Sequence, residues 1–352
     1  MSGKPFDYWT MFARDAAKAG SPLYACIVEG IGADEDLKAI AARARRGQPY
    51  ANMLLAPVHY LLLGGADHPL RRFYATCGGT LSVADEDPFP HFRDFALAHR
   101  EEIVPLVEAR VVNTNEVGRT SVLHAGFRVV AAEAGEPLGL IEIGPSAGLN
   151  MIWDRYGVRY LRDGTPAVEI APDAPLVLEC ELRGAANPPA SPTPAVASRV
   201  GLELNPVDLT TAEDRAWLRA LIWPDQVERL RRLERAMALF DAACPEIRGG
   251  NALALLPEAI CAIPENVPVC VYHTIVAYQF GQKGRQALDD ILTVAGLRRP
   301  VWRLALEAEA QDGAWRNWLT LSRYRDGTVE SRRLAESHPH GTWIEWLGRI
   351  TA

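Results

Sequence analysis

The chain has 352 residues, 48% of them apolar, 23% charged and 8% aromatic, which excludes disorder, collagen and coiled coil and leaves an ordinary globular protein with one large or two modest cores. Its 37 Lys and Arg against 44 Asp and Glu give a net charge of −7, with no basic stripe to neutralise a phosphate backbone, so nucleic acid is not expected as the main partner. The six cysteines form no Cys-x-x-Cys pair and sit mostly in apolar segments, as small core residues of a protein in a reducing cytoplasm do.

The amino terminus, MSGKPFDYW, lacks the basic and apolar regions of a signal peptide. Up to about Gly135 apolar residues recur at helical spacing, interrupted at Gly20-Ser21-Pro22, Gly47-Gln48-Pro49, Gly64-Gly65 and Asp87-Pro88-Phe89-Pro90. Residues 1–135 are therefore expected to form a helical region that covers the substrate. The apolar run from Pro49 to Leu63 is broken by Asn52, Pro57 and His59 before it reaches membrane-spanning length, so no membrane partner is expected. His59 and His68 are expected to be structural. Asn113, Asn115, Glu116 and Arg119 cluster before a helical run, where Arg119 can hold a substrate carboxylate or phosphate. Alternatively Thr114 or Asn115 caps the helix and Arg119 pairs with Glu116.

Strand-like runs then begin at Leu138–Ile143, Val200–Leu204, Val267–His273 and Val301–Glu307, each followed by a glycine-bearing turn or a helical pattern. This alternation predicts an α/β fold with a mostly parallel sheet over 136–352. Thr210 and Glu213 form a capping box before Trp217, Leu218, Leu221 and Ile222, and Phe280 to Ala295 carries an apolar stripe ending at Gly296. Both are expected as crossover helices. Trp315–Tyr324 and Thr328–Leu334 flank Asp326-Gly327, an antiparallel hairpin at the sheet's end. The segment 153–199, with Asp163-Gly164 and the proline-rich Asn187–Pro194, is expected as a β-ribbon insertion with a loop.

The stretch Gly139-Leu-Ile-Glu-Ile-Gly-Pro-Ser-Ala-Gly-Leu-Asn150 places a buried strand before a glycine turn and a helix. A dinucleotide fingerprint needs G-x-G-x-x-G, and Gly144 and Gly148 with Ser146 between them do not fit that spacing. Gly144-Pro-Ser146-Ala-Gly148 does satisfy the G-x-S-x-G nucleophile elbow. In that reading the protein is a serine hydrolase or esterase, with Ser146 as nucleophile and His273 or His340 as base. No His-Gly-Gly-Gly oxyanion loop lies upstream.

Glu142-x-Gly144-x-Ser146-x-Gly148 also resembles motif I of S-adenosylmethionine-dependent methyltransferases, with Ser146 for the middle glycine. Val200-Gly-Leu-Glu203 resembles that fold's second strand, Arg248-Gly-Gly-Asn251-Ala252 its third, and Val269-Cys-Val-Tyr272-His273-Thr274 its fourth. The resemblance implies a Rossmann-like fold binding S-adenosylmethionine through the backbone at Gly144, Ser146 and Gly148, through Glu142 and Glu203, and through Asn251 and Ala252 at the adenine. It implies O- or N-methylation of a small molecule, with His273, at a strand's carboxyl end, as general base. The sequence departs from the pattern in three places. Asn251 stands for an aspartate, Ser146 for a glycine, and Glu142 and Glu203 lie 61 residues apart instead of roughly 20. An inactive ligand-binding protein of the same fold is the third alternative. As a whole the chain also resembles a conserved bacterial family of unknown function, through Thr114–Arg119 and Glu142–Tyr156. Trp153 is a candidate substrate contact or a core residue. No metal site is expected, because His338-Pro-His340 has no third ligand nearby in sequence.

Overall fold

The computed structural model describes residues 7–135 and 137–347. The amino-terminal stretch that lacks signal-peptide features begins in residues 1–6, outside the described ones. Helices α1 (Tyr8–Lys18), α2 (Pro22–Ala33), α3 (Glu35–Ala41), α4 (Tyr50–Leu63), α5 (Phe89–Ala98) and α6 (Arg100–Ala109) come first. Their ends follow from local chemistry. The Asp7, Ser21 and Asp34 side chains accept from the backbone N–H groups of Trp9, Tyr24 and Leu37, and Pro22 pre-sets the first turn of α2.

Helix α7 (Thr120–Ala134) then leads into β1 (Leu138–Ile143) and a ribbon of β2 (Gly157–Arg162), β3 (Thr165–Ile170) and β4 (Val177–Arg183). These are followed by β5 (Val196–Glu203), α8 (Ala212–Ala220), α9 (Val227–Phe240), β6 (Glu246–Gly249) and α10 (Ala252–Ala262). The chain closes with β7 (Val269–Thr274), α11 (Gly281–Gly296), β8 (Val301–Gln311), β9 (Ala314–Arg325), β10 (Thr328–Ser337) and β11 (Trp343–Trp346). No helix among the described residues is long and apolar enough to cross a membrane.

The chain divides into two compact units, one of residues up to 114 with 208–234, the other of 115–207 with residues from 235 onward. The first unit is helical. It takes in α8, expected from sequence as a crossover helix, because Trp217 Nε1 donates to Val111 O at 3.0 Å and Arg110 pairs with Asp214 at 2.5 Å. Thr211, not Thr210, caps α8, its hydroxyl accepting from the Asp214 N–H. His59 is fully buried in this unit, with its ring nitrogens against Ala220 O and Thr76 Oγ1. Burial drops its pKa to about 4, so it is a neutral core histidine. The His68 ring caps the turn at Pro69–Phe73 by accepting from the Leu70 N–H.

The second unit starts at residue 115 and so takes in α7, which the sequence places with the preceding helices. Val122, Leu123, Phe127 and Val130 of α7 share a buried cluster with Leu140, Tyr272 and Leu304 of the sheet and with Tyr160 and Cys180 of the ribbon. Helix α7 is buried on nearly every side from Thr120 to Val130, between the sheet and the ribbon that is part of it. The fold is mixed α/β, with an eleven-stranded, mostly parallel sheet in the order β3-β2-β4-β11-β10-β9-β8-β7-β1-β5-β6. The ribbon is part of this sheet, joined through parallel pairing of β4 with β11. The Asp326-Gly327 hairpin forms as β9 and β10, antiparallel.

Numbered by their order along the chain, β6-β5-β1-β7-β8 run 3-2-1-4-5, the order of doubly wound sheets, all parallel. The direction of winding reverses between β1 and β7. Opposite the α7 face, Ile141, Ile143, Val269 and Val271 pack with Leu256 and Ile260 of α10 and Leu288 and Leu292 of α11.

Candidate functional site

In open α/β sheets, ligands bind outside the carboxyl ends of the strands where the winding reverses. Here that point lies between Ile143 and Thr274. The turn after β1 carries positive φ at Gly144 (70°), Ser146 (57°) and Gly148 (81°). A Cβ on Gly144 would lie 2.7 Å from Val276 Cγ2, and one on Gly201 2.7 Å from Pro145 Cγ. Both positions thus need glycine for close approach, and Gly144 needs it for backbone conformation as well. Ser146 has adopted the left-handed conformation that glycine takes at low cost, and is buried.

Glu203, at the end of β5, faces this turn. Its Oε2 accepts the Ser146 N–H at 2.8 Å and its Oε1 the Asn205 N–H at 3.0 Å. Glu142, paired laterally with Tyr272, is fully buried and accepts the Tyr272 hydroxyl at 3.0 Å. Burial, reinforced by the like charge of Glu203 and offset in part by Tyr272 and Arg119, raises its pKa to about 8. Glu142 is thus protonated at neutral pH.

The 115–119 segment joins the turn to the end of β7 and to the 338–341 segment. Asn115 Oδ1 accepts the Leu149 N–H at 2.9 Å. Glu116 accepts the Gly118 N–H at 3.0 Å through one carboxylate oxygen, while the other contacts His340 Nδ1 at 3.0 Å. The Arg119 guanidinium reaches Pro339 O at 2.9 Å and Thr274 O at 3.3 Å, thus tying the end of β7 to the 338–341 segment. A Cβ on Gly341 would lie 2.0 Å from Gly118 O. Trp153 lies inside the core, stacked on Phe127 with centroids 4.5 Å apart. Asn251 follows β6 and caps α10, accepting the Leu253 N–H at 2.9 Å, with Ala252 the helix's first residue.

His273 lies on the opposite face of β7 from Tyr272 and Glu142, beneath α11. Arg303 Nε donates to its Nε2 at 2.9 Å, so Nδ1 carries the proton and donates to Glu307 Oε1 at 2.6 Å. Burial lowers its pKa and Glu307 raises it; the net shift is downward, and the ring is neutral. With both nitrogens engaged, the imidazole has no position for a substrate proton in this conformation.

Residues 7–346 match the family described as "Uncharacterized protein conserved in bacteria (DUF2332)". The chain belongs to that family. No curated protein and no solved structure matches it. The family match spans Thr114–Arg119 and Glu142–Tyr156, which the structure brings together through Asn115 and Leu149.

Glu307 and Arg303 were not singled out from the sequence, although a signal was there. In the apolar run Val301–Glu307 the charged residues sit four apart, so on a strand both face the same side. Among the described residues no group of three or more His, Cys, Asp or Glu could hold a metal ion.

Proposed function

We propose that this crevice binds S-adenosylmethionine and that the protein is a methyltransferase acting on a small-molecule oxygen or nitrogen nucleophile. The observation that carries the reading is the glycine turn with three positive φ angles, set at the sheet's reversal point and faced by a carboxylate from the neighbouring strand. Such a turn presents bare backbone to a ligand. Both Glu203 oxygens accept backbone N–H groups, and a carboxylate held at this strand end is the acceptor chemistry that suits ribose hydroxyls. Glu142 and Asn251 stand at the ends of β1 and β6, on either side of Glu203 in the sheet.

The bound cofactor supplies an electrophilic methyl group. The chain's part is to align the nucleophile, hold Glu203 in place through Ser146, and fix the β7 side of the crevice through Arg119 and Thr274. His273, engaged on both nitrogens, is assigned to support rather than to proton removal.

Calorimetric titration with S-adenosylmethionine and S-adenosylhomocysteine tests the reading. Saturation at 100 times the dissociation constant is expected to stabilise the protein by about 2.7 kcal/mol, and Glu203→Ala to weaken binding at least tenfold. Absence of binding by both ligands overturns the proposal. Labelling of Ser146 by a fluorophosphonate would transfer the site to the hydrolase reading, whose only structural support is the positive φ at Ser146. Binding without turnover on any nucleophile would indicate a ligand-binding protein of this fold.

A further inference from the structure

Ile275, directly after β7, has φ +51°. For a β-branched residue this is a strained conformation, which persists only where the surroundings over-determine it and which concentrates at ligand clamps. The surroundings here converge on one atom. Glu307 Oε1 accepts from His273 Nδ1 at 2.6 Å, from the Val276 N–H at 3.0 Å and from the Ala277 N–H at 3.2 Å. The Ile275 N–H continues the ladder to Leu306 O at 2.8 Å. Behind His273, Arg303 bridges to Asp289 of α11 at 2.7 Å, and Asp289 also accepts the Tyr324 hydroxyl at 2.8 Å. Of the three donors to Glu307, His273 is thus itself fixed from behind. The Val276 side chain held in this way is the one that abuts Gly144.

We propose that Glu307 is a positioning residue of the crevice: it clasps residues 275–277 so that Val276 forms a fixed wall against the Gly144 turn, preorganised for the ligand. The role of this wall in cofactor binding rests on the methyltransferase reading, whereas the clasp itself does not. Glu307→Gln keeps the shape, exchanges the carboxylate for a neutral amide and leaves the crevice lining in place.

The test pairs hydrogen exchange on the unliganded protein with titration by S-adenosylhomocysteine, using wild type and Glu307→Gln. In the variant the amides of Val276 and Ala277 should exchange at least tenfold faster while those of β1 and β5 keep their rates. The dissociation constant should rise about tenfold, mainly through faster release. A role limited to general stability would leave that constant unchanged once the protein is folded and saturable. Unchanged exchange at 276 and 277 overturns the clasp, and faster exchange with unchanged affinity overturns the positioning role. Faster exchange with no binding by wild type leaves the clasp standing and removes the cofactor assignment. If the Gln variant does not fold, Glu307→Asp, which keeps the charge but shortens the reach, is read by the same criteria.

Discussion

Glu142 sits in an environment that opposes the charge its carboxylate ordinarily carries. In the folded state it holds its proton up to about pH 8, whereas an ordinary glutamate loses it near 4.5. Between those values the native state binds the extra proton, so stability falls as pH rises through the window and levels off above it. Glu142→Gln, which does not titrate, should therefore match wild type near pH 4.5. By pH 9 it should be the more stable by an amount on the order of a few kcal/mol. Urea unfolding at both pH values checks this, and a difference that does not grow with pH would show that Glu142 is not held neutral. Gly144→Ala should destabilise by about 1–3 kcal/mol through the positive φ and the contact with Val276. The glycine pattern and the acidic strand ends were legible in sequence because they depend on local conformation. The engagement of His273 by Arg303 was not, since it depends on the lateral pairing of β7 with β8.

At the scale of elements, α7 owes its position to a glycine. A Cβ on Gly126 would lie 2.6 Å from Leu304 Cδ2, so the helix seats on β8 at a distance that only glycine permits. Alanine raises intrinsic helix propensity by about 1 kcal/mol, yet overpacking costs roughly 1–3 kcal/mol. Gly126→Ala should therefore lower the melting temperature despite the better helix former, and a rise would show that α7 shifts freely. The strands were readable to within a few residues, Leu138–Ile143 without any offset, because buried parallel strands are short apolar runs closed by turn residues. Strand β11 carried no such signal. Its four residues matter only through pairing with β4 and β10, which bring the ribbon into the sheet. The proline-rich loop 187–194 is tied down by a long-range contact of the same kind, with buried Arg128 donating to Ser191 O at 2.8 Å.

For the whole molecule, the division at residue 114 and the return at 208–234 could not be read from periodicity. The amphipathic pattern of α8 is the same whether its apolar face meets a sheet or other helices. A fragment ending at residue 135 should therefore lack a cooperative thermal transition by circular dichroism, since Trp217, Ala220 and Asp214 complete the helical unit. A sharp melt by that fragment would show the unit to be self-sufficient. The same interleaving sets a schedule on the ribosome. Domains usually fold as their own sequence emerges, at roughly 5–20 residues per second. The helices made first must instead wait for about 120 more residues, some 6–24 s at roughly those rates. Through that interval the side of the helical unit that Trp217 and Ala220 complete stays open.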